Sequence, residues 1–151
     1  KALVHILAFK LKRFNCLSPK EQHTFISMLS DLMIANIAVS VTEKAVGVVE
    51  LLSQRESTER FVSAFQPILN FALAKAASDE FASAAVRNGA VRIFWNVVAR
   101  DDKSINALSR IPKVLDILVT VAAQQNTSAE RKLAYSTLMR LSENACNRRI
   151  L

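Results

Sequence analysis

Residues 103–143, KSINALSRIPKVLDILVTVAAQQNTSAERKLAYSTLMRLSE, decide the fold that the sequence predicts. Three segments with apolar periodicity follow one another here, separated by Pro112 and by the polar run QQNTS. A proline at the first helical position needs no backbone N–H, so Pro112 ends the first short segment and opens the second. Leu133, Leu138 and Leu141 recur on one face of the third segment, as in an amphipathic helix. The stretch therefore predicts a short helix followed by two longer ones.

The rest of the chain carries similar helical signals. Only two of the 151 residues are glycine and three are proline, so the turn residues that β-hairpins require are nearly absent. In a capping box, a hydroxyl residue and a glutamate three residues later satisfy amide groups at a helix start. This pattern occurs at Ser18 to Glu21, Ser40 to Glu43 and Thr127 to Glu130. We expect an all-α chain with helices near 2–14, 19–36, 42–54, 58–66, 67–77, 79–100, 103–110, 112–124 and 128–143, and another starting near 145. Gly89 is a candidate position for a kink or division of the 79–100 helix.

An internal repeat appears when the end of the chain is compared with earlier segments. The sequence LMRLSENACNRRIL aligns with FWNVVARDDKSINAL and then with VVELLSQRESTERFV, which places Arg140 on Asn96 and Asn96 on Glu50. Glu50 and Asn96 lie 46 positions apart, and Asn96 and Arg140 lie 44 apart. The two prolines Pro67 and Pro112 lie 45 apart. Periods of about 40 to 47 residues characterise helical solenoids, in which each unit of two or three helices buries its apolar face against the next.

With this repeat, residues 103–143 resemble one unit of the armadillo family, with first helix KSINALSRI, second helix PKVLDILVTVAA and third helix SAERKLAYSTLMRLSE. The segment ENACNRRIL resembles the first helix of another unit, and residues 58–100 resemble a degenerate earlier unit. The resemblance implies an armadillo-like right-handed superhelical solenoid of roughly three units, truncated at both ends, with HEAT repeats as the alternative. We expect residues 1–151 to form a single domain of this kind and to be a fragment of a longer protein.

The armadillo resemblance also implies a binding surface. In peptide-binding members the third helices line a concave groove, where an asparagine holds an extended peptide backbone and a tryptophan four residues earlier forms a slot. The repeat register gives these groove candidates: Glu50, Arg92, Trp95, Asn96, Ser136 and Arg140. Only Asn96 matches the family residue, and tryptophan never occupies its expected position, so the pattern of nuclear-signal-binding members is not matched. Arg92 and Arg140 favour an acidic or phosphorylated partner, because guanidinium binds carboxylate and phosphate in bidentate geometry; solvated surface residues are the alternative.

The aromatic residues have a simpler interpretation. A lone tryptophan on an apolar helix, such as Trp95, most often packs in the core, and a binding hot spot is the alternative. Four phenylalanines at helical spacing are predicted to be core residues: Phe61, Phe65, Phe71 and Phe81.

The net charge of +7 leaves a second function open, a helical module that binds nucleic acid through basic residues. The basic-patch candidates are Lys10, Lys12, Arg13, Arg148 and Arg149. Aromatic residues do not interleave with these charges as a base-stacking surface requires, which favours a solvated face. The first helix, KALVHILAFKLKRF, is too short to cross a membrane; a membrane-surface helix is the alternative to its being the last helix of an upstream unit. Apolar ends of a truncated solenoid would also promote self-association.

Motifs for catalysis are missing from the sequence. His5 and His23 have no nearby ligand partner, and neither a glycine-rich phosphate loop nor a nucleophile elbow occurs, so we expect no enzyme, metal or cofactor. Cys16 and Cys146 are predicted to be buried free thiols, which favours the cytoplasm, with the nucleus as an alternative. The function that the sequence predicts is a non-enzymatic scaffold or adaptor that binds a protein or peptide segment.

Overall fold

A computed structural model describes residues 12–35, 37–54, 66–80, 82–99, 102–123 and 129–143. Within these ranges the regular structure is entirely helical, with one short 3-10 turn at Phe14–Cys16 and seven α-helices. The helices are α1 (Pro19–Ala35), α2 (Val39–Ser53), α3 (Gln66–Ala77), α4 (Ala84–Val98), α5 (Asp102–Ser109), α6 (Pro112–Ala122) and α7 (Ala129–Glu143). The prediction of all-α structure is confirmed for these residues. The helix predicted to start near 145, and most of the helices predicted for 2–14 and 58–66, lie outside the described residues.

Two predicted helix starts agree with the structure. The backbone N–H of Glu21 donates to Ser18 Oγ at 3.2 Å, and the same hydroxyl lies 3.0 Å from Glu21 Oε1, so Ser18 caps α1. Pro112 is the first residue of α6, as predicted from its missing N–H.

Two other helix starts differ from the sequence prediction. Helix α2 begins at Val39 because the carbonyl of Ala38 accepts from the N–H groups of Val41 and Thr42, so Ser40 lies inside the first turn rather than at its cap. Helix α4 begins at residue 84, where Ser83 Oγ accepts from the N–H of Val86 at 3.2 Å. The sequence offered no glutamate three residues after Ser83, and the capping-box pattern therefore missed this cap.

The helices pack in two rows. In one row α2 packs against α4 and α4 against α7; in the other α1 packs against α3 and α3 against α6. Contacts of α1 with α2, of α3 with α4 and of α6 with α7 join the rows, while the short α5 contacts α3, α4, α6 and α7. Helices α1, α2, α3 and α4 therefore each pack on the helix that lies one predicted repeat further along the chain.

A continuous apolar core lies between the two rows. Its largest fully buried side chains come from six of the seven helices: Phe25, Ile26, Leu29, Met33, Leu52, Leu69, Leu73, Phe94, Ile93, Leu108 and Leu118. Helix α7 adds the buried residues Ala134, Thr137 and Leu141. The core thus extends through all of the described helices, because each contributes one apolar stripe.

Two burial predictions are wrong. Phe71 is 57% exposed, because the buried face of α3 carries Leu69, Ala72 and Leu73 and Phe71 points away from it. Cys16 is exposed in the turn before α1 rather than buried. Phe61, Phe65, Phe81 and Cys146 lie outside the described residues. Among the helices described, none is both long enough and apolar enough to cross a membrane.

Candidate binding surface on three successive helices

The structure places all six predicted groove residues on the row formed by α2, α4 and α7. Glu50 lies near the end of α2, Arg92, Trp95 and Asn96 lie on α4, and Ser136 and Arg140 lie on α7. Each is partly exposed, whereas the residues on the opposite side of each helix are buried in the core. We call this surface the α2–α4–α7 face.

Arg92 connects all three helices of this face. Its Nε lies 2.7 Å from Glu50 Oε1, and its Nη2 lies 3.3 Å from Glu50 Oε2, so the guanidinium binds the α2 carboxylate in two places. Its Nη1 lies 2.7 Å from Glu130 Oε1 on α7. The planar guanidinium has donors on several sides, and a lysine would lack this geometry. The Arg92 side chain therefore links α4 to both of its neighbours in the row, α2 and α7.

The two carboxylates also control the charge state of this site. The hydrogen bond to Glu50 raises the pKa of Arg92, partial burial opposes that shift, and Glu130 adds to the increase. Arg92 therefore stays cationic, and its charge is matched within the chain. An acidic ligand would have to compete with two carboxylates for this guanidinium, so the acidic-partner hypothesis now depends on Arg140.

Sequence comparison missed Glu130 as a member of this site. The sequence pattern predicts Glu130 to be the glutamate of a capping box at the start of the third helix. Glu50 and Arg92 are 42 positions apart in the sequence, and Arg92 and Glu130 are 38 apart. Both separations are shorter than the repeat period. A search for opposite charges at such offsets would have found both pairs.

Asn96 is held by a hydrogen bond across the α2–α4 contact. Its Nδ2 donates to Ser53 Oγ at 3.1 Å, and the Ser53 hydroxyl, which is buried, donates to the carbonyl of Glu50 at 2.7 Å. Within the described ranges no hydrogen bond reaches Asn96 Oδ1. The amide is therefore oriented by the protein while its carbonyl oxygen stays available to a ligand N–H.

Arg140 makes weaker contacts than Arg92. Its Nη2 lies 3.5 Å from the carbonyl of Val98 at the end of α4, and its Nη1 lies 3.8 Å from Glu143 in the next turn of α7. Its side chain is 41% exposed. Long and exposed contacts of this kind contribute little stability, so Arg140 can rotate towards a ligand at low cost.

The remaining candidates differ in position. Trp95 is partly buried and packs against the core, and Ser136 is partly exposed on α7. Lys12 and Arg13 are exposed ahead of α1, whereas Lys10, Arg148 and Arg149 lie outside the described residues. In the part of the chain with described side chains, no group of His, Cys, Asp and Glu is arranged to hold a metal ion.

The α2–α4–α7 face thus combines an ion-pair network of one arginine and two carboxylates with an oriented amide and a loosely held arginine. These groups can hydrogen-bond a peptide backbone and bind one acidic group. No protein-family model, curated protein or solved structure matches this chain.

Proposed function

We propose that this chain forms an armadillo-like right-handed helical solenoid and acts as a non-enzymatic scaffold or adaptor that binds an extended segment of a partner protein. The two rows of helices support the solenoid, because helices one repeat apart pack on one another as stacked units must. The partner segment lies along the α2–α4–α7 face, across the three helices.

The position of Asn96 is the observation that carries this proposal. Its amide is fixed through Ser53, and a preoriented amide loses little entropy when it binds. An extended peptide offers alternating N–H and C=O groups, and Oδ1 accepts from such an N–H group. A second Nδ2 hydrogen remains to donate to the peptide carbonyl, since an amide nitrogen carries two.

The ion-pair network defines the shape of the same face. Arg92, Glu50 and Glu130 hold α2, α4 and α7 in register, so the parts of α4 and α7 that carry Asn96 and Arg140 keep a constant separation. Arg140 binds an acidic or phosphorylated side chain of the partner, while Trp95 supplies apolar contact beside Asn96. The partner is therefore a peptide segment with one acidic group, not a polyanion.

A peptide-display selection against the whole chain tests the proposal. Selected peptides would be titrated by fluorescence anisotropy against the wild type, Asn96→Ala and Arg140→Ala. We expect Asn96→Ala to weaken binding about tenfold, since losing one or two hydrogen bonds to a peptide costs on the order of 1–2 kcal/mol. Arg140→Ala should weaken binding only of peptides that carry an acidic group.

Asn106→Ala is the matched control, because Asn106 is an exposed asparagine on α5, which is not one of the three helices of this face. Circular dichroism would confirm that every variant keeps its helicity. Peptides that bind Asn96→Ala as tightly as the wild type would contradict the placement of the site. Binding of labelled nucleic acid that falls steeply with salt and does not respond to Asn96→Ala would support the basic alternative.

A further inference from the structure

Helix α7 carries a line of exposed residues on one face. Lys132, Tyr135, Met139 and Glu143 follow one another at spacings of three, four and four residues, which places them on one side of the helix. Tyr135 is 49% exposed and Met139 is 65% exposed, although both are large and largely apolar side chains. We call these four residues the α7 stripe. Burying these two side chains in a contact with another helix would remove their apolar surface from water.

The other two helices of the row bury the corresponding positions. By the repeat register, Tyr135 corresponds to Val91 of α4 and Ala45 of α2, both of which are fully buried. Met139 corresponds to Trp95, which packs against the core, and to Val49, which is fully buried. Helix α4 packs against α2, and α7 packs against α4. At these two positions the side chains of α2 and α4 are covered by the rest of the chain, whereas those of α7 are exposed.

The charges of the α7 stripe indicate which helix would fit. Lys132 lies near the start of α7 and Glu143 is its last residue, with Tyr135 and Met139 between them. The stripe is nearly symmetric about residue 137, because both the charged pair and the apolar pair are centred there. If a second α7 lies antiparallel across the first, each Lys132 faces the Glu143 of the other copy, and each Tyr135 faces the other Met139.

The helix dipole favours the same arrangement. A lysine near a helix N-terminus and a carboxylate at a C-terminus each have the less favourable sign for their own helix. In an antiparallel pair, each Lys132 lies near the C-terminal end of the other helix and each Glu143 near its N-terminal end. Both charges are then better placed than in a single chain.

We propose that the α7 stripe binds the same stripe of a second copy of this chain, in an antiparallel two-fold dimer. The contact is isologous, so the assembly closes at two copies and does not extend into a fibre. The two methionines adapt to the tyrosine rings, since the flexible thioether packs well against aromatic edges. The buried area is that of one helix pair, so the dimer is weak and forms only as the protein concentration rises.

Sedimentation velocity on the whole chain, from about 1 µM to 500 µM, tests this dimer at concentrations that span a weak association. We expect the wild type to pass from monomer to dimer over this range. Met139→Glu places a charge in the centre of the contact and should raise the dimer Kd about tenfold or more. Phe71→Glu is the matched control, because Phe71 is equally exposed but lies on α3, and it should leave the Kd unchanged.

A charge-swap experiment tests the antiparallel direction. Lys132→Glu alone and Glu143→Lys alone each place like charges together at both ends of the contact and should raise the Kd several-fold, as expected for exposed charges. When the two single variants are mixed, both ends of a mixed dimer carry opposite charges, so mixed dimers should form more tightly than either variant with itself.

The outcomes separate clearly. A wild type that stays monomeric over the whole range would overturn the second-copy proposal and leave the α7 stripe to a different helix. A dimer that is insensitive to Met139→Glu would place the contact elsewhere. A mixture that associates no better than either single variant would overturn the antiparallel arrangement. Asn96 is not part of the stripe, so failure here would not affect the proposed peptide site.

Discussion

Gly89 on α4 lies so close to Val46 on α2 that a Cβ atom on the glycine would be 2.7 Å from Val46 Cγ1. Both residues are buried, and α4 runs without interruption from Ala84 to Val98 through this contact. The predicted division of the helix at Gly89 is therefore wrong. The glycine allows two helices of the row to approach closely.

Gly89→Ala should destabilise the chain although alanine is the better helix former. The added methyl group requires Val46 to move within a packed core, which costs about 1–3 kcal/mol by the usual cost of overpacking. Urea unfolding followed by circular dichroism measures this change. Gly47→Ala is the matched control, because nothing lies within 4 Å of its added Cβ, and it should stabilise α2 by roughly 0.5–1 kcal/mol.

Combining Gly89→Ala with Val46→Ala gives a second check. The smaller side chain removes the clash, so Gly89→Ala should be less destabilising beside Val46→Ala than in the wild type. If the two substitutions are simply additive, the close contact between α2 and α4 is not the cause of the loss.

Arg92→Met should destabilise the chain by about 1–3 kcal/mol, because the apolar replacement leaves the Glu50 and Glu130 carboxylates partly buried without their common partner. Arg92→Lys should lose part of this amount, since an ammonium group cannot reproduce the bidentate contact. Thermal and urea unfolding of both variants at one salt concentration measure the difference.

Neutralising the carboxylates supplies the control for Arg92. The triple variant Glu50→Gln, Arg92→Met, Glu130→Gln should recover most of the stability lost in Arg92→Met, because no uncompensated charge remains. A triple variant as unstable as the single one would mean that Arg92 acts through packing of its aliphatic chain rather than through charge.

Ser83→Ala should cost about 1 kcal/mol, because Ser83 Oγ accepts the hydrogen bond from Val86 N–H that begins α4. Ser40→Ala is the matched control: Ser40 is exposed inside the first turn of α2, and its loss should change the free energy of unfolding by less than about 0.5 kcal/mol. Equal losses in the two variants would show that Ser40 has a capping role after all.

Phe94→Ala and Phe71→Ala compare two phenylalanines in different environments. Phe94 is fully buried between the rows, so its truncation should cost about 3–5 kcal/mol, whereas the exposed Phe71 should cost less than about 1 kcal/mol. Urea midpoints with unchanged m-values would confirm the comparison. A large loss at Phe71 would mean that its ring is buried by a contact that forms in solution.

Much of the local structure was predictable from the chain. The ends of α1, α5 and α6 agree with the predicted bounds within about two residues, since capping hydroxyls, prolines and apolar stripes are local signals. The repeat register also placed Glu50, Asn96 and Arg140 on one row of helices. The capping boxes at Ser18 and Ser40 look alike in sequence, but of these two serines only Ser18 caps a helix. At Ser40 the helix has already begun, because the carbonyl of Ala38 accepts the first backbone hydrogen bonds of α2.

Helix propensity and a 3.6-residue period act within a few neighbours. The order of the amino acids was therefore enough to predict helical structure, the approximate position of most described helices, and which residues share a face. The tertiary structure decided that Arg92 joins Glu50 to Glu130, that Gly89 meets Val46, and that Phe71 and Met139 face outwards. These outcomes depend on the axial offset and rotation between packed helices. That geometry is set by the fit of side chains across the row, which no local pattern contains.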